Sequence, residues 1–170
     1  MLTMKQALFP SQAIFAALGL LALAGGCSPA VSEAPNQTTQ TQATHPESGL
    51  AVIPLSVTSA NGVHPFRVEL AKGRFDQAKG LMFRTEMGAD EGMLFPLDPP
   101  RPASFWMKNT VIPLDIIFIG PNRRVLNVAA STVPYSEDPI PSEGDAAAVL
   151  ELVGGRAAQL GIAAGDKVSW

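Results

Sequence analysis

The chain has 170 residues, 46% of them hydrophobic and 16% charged, enough apolar material for one packed domain and too little length for two. A net charge of −3, with acidic and basic residues interspersed, excludes the basic footprint of a nucleic-acid binder. The single cysteine excludes an intrachain disulfide, while fifteen prolines and fifteen glycines point to a turn-rich β protein.

Lys5 precedes an apolar run from Ala13 to Ala24, which ends in small residues before Cys27. A short positive region, about a dozen apolar residues and small residues at the end describe a secretory signal over residues 1–26. The run is shorter than the roughly 20 residues of a spanning helix. Ala22-Leu23-Ala24 fits ordinary signal peptidase, whereas Ala24-Gly25-Gly26-Cys27 resembles a lipoprotein box in which Cys27 is lipidated. The only cysteine stands where such a box needs it, which favours the lipoprotein. Residues 27–49 are rich in Pro, Thr, Gln and Ser and are expected to be a disordered tether. His45 is expected to be solvated within it. The folded domain is expected to span 50–170.

From Leu50 the pattern alternates. Val52–Thr58 and Val63–Ala71 read as strands around an Asn61-Gly62 turn, with Pro65 marking a strand start or an edge. Residues 74–83 have helical spacing, with Phe75, Ala78 and Met82 on one side and Gly80 allowing a close approach. Met93-Leu94-Phe95 reads as a short buried strand ended by Pro96. Pro99, Pro100 and Pro102 read as an extended connection, and Ser104–Asn109 alternates. Leu114–Ile119 is a near-continuous apolar run, hence a central strand covered on both faces. Val125–Ala130 is a further strand, residues 132–145 an acidic loop, and Val149–Val153 a strand. Gly154–Gly161 is a short helix capped by Gly161, and Lys167–Trp170 a last strand. The expected fold is mainly β (α+β), a small barrel or sandwich of about seven short strands and two short helices.

Arg84, Lys108, Asn109 and Asp115 are polar residues inside buried-looking blocks. A carboxylate between Leu114 and Ile116 must be paired or neutral, because an isolated buried charge is costly, and Arg84 or Lys108 is the expected partner. Beside them Trp106 would supply an apolar wall for a ligand. Two other chemistries use the same stretch. Met82, Met93 and Met107 could offer thioethers to Cu(I), although methionine also fills gaps in cores. Lys108 and Asp115 could serve a small hydrolase or lyase as base and acid. The domain lacks a Ser-His-Asp set, a thiol and a phosphate-binding loop, so the enzymatic case is poor.

Four blocks, Gly80-Leu81-Met82-Phe83-Arg84, Gly92-Met93-Leu94-Phe95, Trp106-Met107-Lys108-Asn109-Thr110 and Ile112-Pro113-Leu114-Asp115, resemble a widespread prokaryotic family, domain of unknown function 192, over residues 52–170. The resemblance implies a mainly β fold with a helix packed on it, often behind a signal sequence, and no established activity. The expectation from sequence is therefore a non-catalytic cell-envelope module anchored through Cys27. Its partners would be the membrane and either an envelope protein or a small ligand. No cofactor and no nucleic acid are expected.

Overall fold

Chain reversal at Asn61-Gly62 sets up the first hairpin. The computed structural model describes residues 43–170 and pairs β1 (Val52–Ser59) with β2 (Gly62–Leu70) in an antiparallel register from Val52↔Glu69 to Ser59↔Gly62. Helix α1 (Arg74–Lys79) follows, then β3 (Glu91–Phe105), β4 (Leu114–Ile119), β5 (Val125–Ala129), β6 (Ile140–Val153), helix α2 (Arg156–Leu160) and β7 (Lys167–Ser169). The strands form one seven-stranded sheet in the order β5-β4-β6-β3-β2-β1-β7. All neighbours are antiparallel except β2 and β3, which run parallel from Arg67↔Glu91 to Leu70↔Leu94. The sheet curls into a half-barrel. Its two ends approach through a bridge between Arg124 and Lys167, where the Val125 and Val168 amides donate to the Asp166 and Arg123 carbonyls.

Strand alternation sends side chains to two apolar layers. Inside the curl lie Val57, Phe66, Val68, Leu94, Ile117, Leu150, Leu152 and Val168, closed by Ala157 and Ile162 around α2. On the outer face of β3, β6 and β4 lie Met93, Phe95, Ile116, Phe118 and Val149, covered by Leu81 and Met107 from loops. Each large apolar side chain buried there contributes roughly 1.5–3 kcal/mol. Strand β4 serves both layers, and all six of its residues are buried.

Several boundaries differ from those expected. Strand β3 runs through Pro96, Pro99, Pro100 and Pro102 instead of stopping at Phe95. Because β2 leaves β3 after Leu94, the remainder of β3 has one bare edge, where residues without an N–H are tolerated. The ladder to β6 shifts register between Pro96 and Arg101 and again between Pro102 and Ser104. Pairing with this long strand turns residues 140–145, expected as loop, into the first part of β6. Helix α1 ends at Lys79, and Gly80 caps it at φ 48°, a left-handed value suited to glycine. A Cβ there would stand 3.4 Å from the Phe95 ring. Phe75, expected on the buried side, is 92% exposed, because a helix this short turns that position to solvent.

The expected signal peptide, Cys27 and most of the expected tether lie outside the described residues. The last part of that tether, 43–49, is folded. Thr44 bridges Ala51, and the Val52 amide donates to the Ala43 carbonyl at 2.7 Å. His45 is accordingly not a free solvated side chain; it lies against Glu69 and Arg84.

Candidate functional site: a cavity floored by Glu151

The five residues expected to form one polar site fall in three places. Arg84 is 6% exposed, and its buried partner is Glu69, not Asp115. Its Nη1 and Nη2 donate to the two Glu69 carboxylate oxygens at 3.0 and 3.3 Å. Its Nε meets Glu47 at 3.0 Å, and Ser48 Oγ donates to Glu69 Oε2. A fork-to-fork pair of this kind holds both charges with their hydrogen bonds satisfied. It clamps the turn after α1 and the segment 43–49 onto β2.

Asp115 is fully buried and touches neither cation. Its Oδ1 accepts from the backbone amides of Ser131 at 2.7 Å and Gly155 at 2.9 Å, and its Oδ2 from Ala157 at 2.7 Å. Gly155 is the N-cap of α2 and lacks a side chain to cap it. Asp115 supplies that missing cap from β4, satisfying orphan amides at the positive end of the helix. The Lys108/Asp115 acid–base pair is thus not assembled, since Asp115 has no surface to offer a substrate.

Trp106 and Lys108 stand apart from both. Trp106 is 49% exposed, and Lys108 Nζ lies 5.1 Å from its ring centroid, within cation–π range. Lys108 also faces the exposed Glu137 at 3.9 Å. Asn109 adopts a left-handed φ of 54°, as does Phe83 at 65°. The Phe83 amide donates to the Asn109 carbonyl at 2.8 Å, and Asn109 Nδ2 approaches Met82 Sδ at 3.8 Å. Asparagine tolerates this conformation, but phenylalanine in it is strained. The GLMFR and WMKNT blocks are therefore tied together where two residues of left-handed φ meet, one of them strained.

Those two blocks border a half-open cavity of about 400 Å³. One wall is Gln77 to Met82, and the other is formed by Phe95, Leu97, Arg101 to Trp106, Lys108 and Thr110. Its floor holds Glu151, which the sequence reading missed. Glu151 lies on β6 opposite Met93 and Ile116, faces the outer apolar layer and is 5% exposed. Its carboxyl has no hydrogen-bond or ionic partner among the described residues. Burial pushes its pKa from 4.5 up to about 8, so it is mostly protonated at neutral pH. The signal in the sequence was one charged residue inside the apolar run Val149-Leu150-Glu151-Leu152-Val153.

The three methionines have separate surroundings. Met82 Sδ faces Asn109, and Met107 Sδ accepts from Thr132 Oγ1 at 3.0 Å. Met93 is packed in the outer layer at 1% exposure.

A seven-stranded half-barrel with these blocks around one cavity defines the class. The chain belongs to the DUF192 family, Uncharacterized ACR, whose model matches residues 56–170. It is similar to a protein of unknown function from Novosphingobium aromaticivorans DSM 12444, with 55% identity and a TM-score of 0.75 over 86% of this chain and 100% of that one. It is also similar to a candidate transcription regulator from Sinorhizobium meliloti 1021, with 38% identity and a TM-score of 0.68 over 71% of this chain and 94% of that one. No curated protein matches the sequence.

Proposed function

We propose that the protein is a non-catalytic small-ligand-binding module of the cell envelope, anchored through a lipidated Cys27. Its binding site is the cavity between the turn after α1 and the Trp106–Thr110 loop. The observation that carries this reading is Glu151. Its carboxyl has no protein partner among the described residues and opens onto a half-open cavity of ligand size whose lining mixes polar and apolar groups. The anchoring half of the proposal is supported by the apolar run, the small residues before Cys27 and the absence of any other cysteine.

Trp106 on the wall gives a direct readout. The second tryptophan, Trp170, is stacked under Arg123 at 3.4 Å and can be changed to Phe to leave Trp106 as sole reporter. Titration with the apolar-aromatic anion anilinonaphthalenesulfonate, alongside a library of small amphiphiles, is expected to shift Trp106 emission and raise Tm. Ala78→Phe, at an exposed helix position facing the cavity, is expected to abolish both effects. A library that leaves emission and Tm unchanged would overturn the binding reading, as would equal binding by Ala78→Phe. For the anchor, mass spectrometry of the mature protein should find a chain beginning at lipidated Cys27. An unmodified chain beginning at Gly25 would remove it.

A further inference from the structure

The charges around the cavity are unequally placed. Lys79, Arg101 and Lys108 line it, and the only carboxyl among its lining residues is Glu151 on the floor. Lys79 and Arg101 are exposed and form no ion pair among the described residues; Lys108 has only the long contact to Glu137. Between floor and mouth the walls are Phe95, Leu97, Phe105 and Trp106. Phe95 and Phe105 meet edge to face with centroids 5.3 Å apart, which fixes the wall next to the floor.

Resting on the binding reading above, we infer that the ligand is a small amphiphilic anion whose inner end carries a neutral oxygen acceptor. Its carboxylate or phosphate head sits among Lys79, Arg101 and Lys108, its apolar body lies along the aromatic wall, and its inner oxygen accepts a hydrogen bond from the Glu151 carboxyl. Each part answers an unsatisfied feature of the cavity. Unpaired cations at a mouth raise the local concentration of anions and disfavour cations. A protonated carboxyl that no protein group meets among the described residues is free to donate to whatever enters the cavity. A ligand ending in an ammonium would have to pass the cationic mouth and then strip the proton from Glu151.

The two possibilities differ in the sign of their pH dependence. Only protonated Glu151 donates to a neutral oxygen, so affinity for the inferred class falls as pH rises through about 8. An ammonium needs the carboxylate, so its affinity would rise over the same range. Calorimetric titration of the wild-type protein with monomethyl suberate, octanoate, octyl phosphate, octylamine and ω-aminooctanoate separates them. Monomethyl suberate, which has an anionic head and an ester carbonyl at the far end, is expected to bind tightest. Between about pH 6.5 and about pH 9.5 its affinity should fall about thirty-fold. Glu151→Gln, whose amide can also donate, should keep binding and lose the pH dependence. Arg101→Met with Lys108→Met should weaken monomethyl suberate at least tenfold and leave octylamine unweakened.

Tightest binding by octylamine or ω-aminooctanoate, with affinity rising with pH, would overturn the ligand class while leaving the binding site in place. Failure of all five probes to bind, in a protein whose Trp106 still responds to other amphiphiles, would also overturn it. A pH dependence that survives in Glu151→Gln would show that Glu151 is not the group that reads the inner end. Octyl phosphate binding tighter than octanoate would identify the head as phosphate, and the reverse order as carboxylate; either supports the anionic class.

Discussion

Asp115 and Glu151 stand one register position apart on neighbouring strands, with Asp115 opposite Leu152 and Glu151 opposite Ile116. Leu152 belongs to the inner apolar layer and Ile116 to the outer one, so the two carboxyls point to opposite faces of one sheet. On the inner face Asp115 receives three backbone N–H groups. On the outer face Glu151 has no protein partner among the described residues, and burial pushes its pKa up to about 8. The same sheet thus buries one acid as a structural pin and another as an unfilled donor. The contrast separates two meanings of a buried charge. Where the fold supplies every hydrogen bond, the residue is there for stability; where it supplies none among the described residues and leaves a cavity, the residue is the better candidate for a ligand contact.

The largest expected effect tests the structural half. Asp115→Ala leaves the Ser131, Gly155 and Ala157 amides without an acceptor and removes the carboxylate that caps the start of α2. It should destabilise the protein by roughly 3–5 kcal/mol in urea unfolding, with Asp115→Asn falling between it and wild type. A loss below about 1 kcal/mol would mean that water replaces the carboxylate and that the pin is not one.

The next effect has the opposite sign. Glu151 has a folded pKa of about 8 against an ordinary 4.5, so unfolding releases its proton throughout that window. Stability is therefore expected to fall as pH rises from about 4.5 to about 8 and to level off above. Glu151→Gln removes the ionisation. It should flatten this slope and make the protein more stable than wild type at pH 9, with little change near pH 4.5. A destabilised Glu151→Gln would show that the carboxyl makes a contact the fold needs, and the contrast with Asp115 would collapse.

The same two residues show what was legible in the sequence. Asp115 stood out because it interrupts an apolar run that is buried on both faces, and its need for partners was correctly inferred. The partners were not, because backbone amides at the start of α2 leave no mark in residue identity. Arg84 was likewise expected to be paired, but its partner Glu69 sits on a strand that reads as half-exposed; residues 45–48 fold over that face. Glu151 escaped notice for a related reason. It interrupts the apolar run Val149–Val153, but the elements that cover its face are loops, with no periodicity to announce them. The hairpin, β4 and the α2 cap at Gly161 were visible, since each rests on local chemistry. The length of β3 and β6 was hidden by prolines whose edge position only the strand order reveals.

The smallest stability effect tests the mouth of the cavity against its floor. Lys108 is only partly covered, and its pair with Glu137 at 3.9 Å and its contact with the Trp106 ring are both of the exposed kind. Surface pairs of this sort contribute about 0–1 kcal/mol, and exposed cation–π contacts roughly 0.5–1 kcal/mol. Lys108→Met should therefore lower stability by about 1 kcal/mol or less in thermal or urea unfolding, with a pH profile parallel to wild type because Glu151 is untouched. A loss of 2 kcal/mol or more, well outside the range for exposed pairs, would mean that Lys108 holds the strained Phe83–Asn109 junction. The mouth would then be part of the scaffold, like Asp115. A small loss keeps Lys108 on the side of Glu151, as a charge the fold does not require.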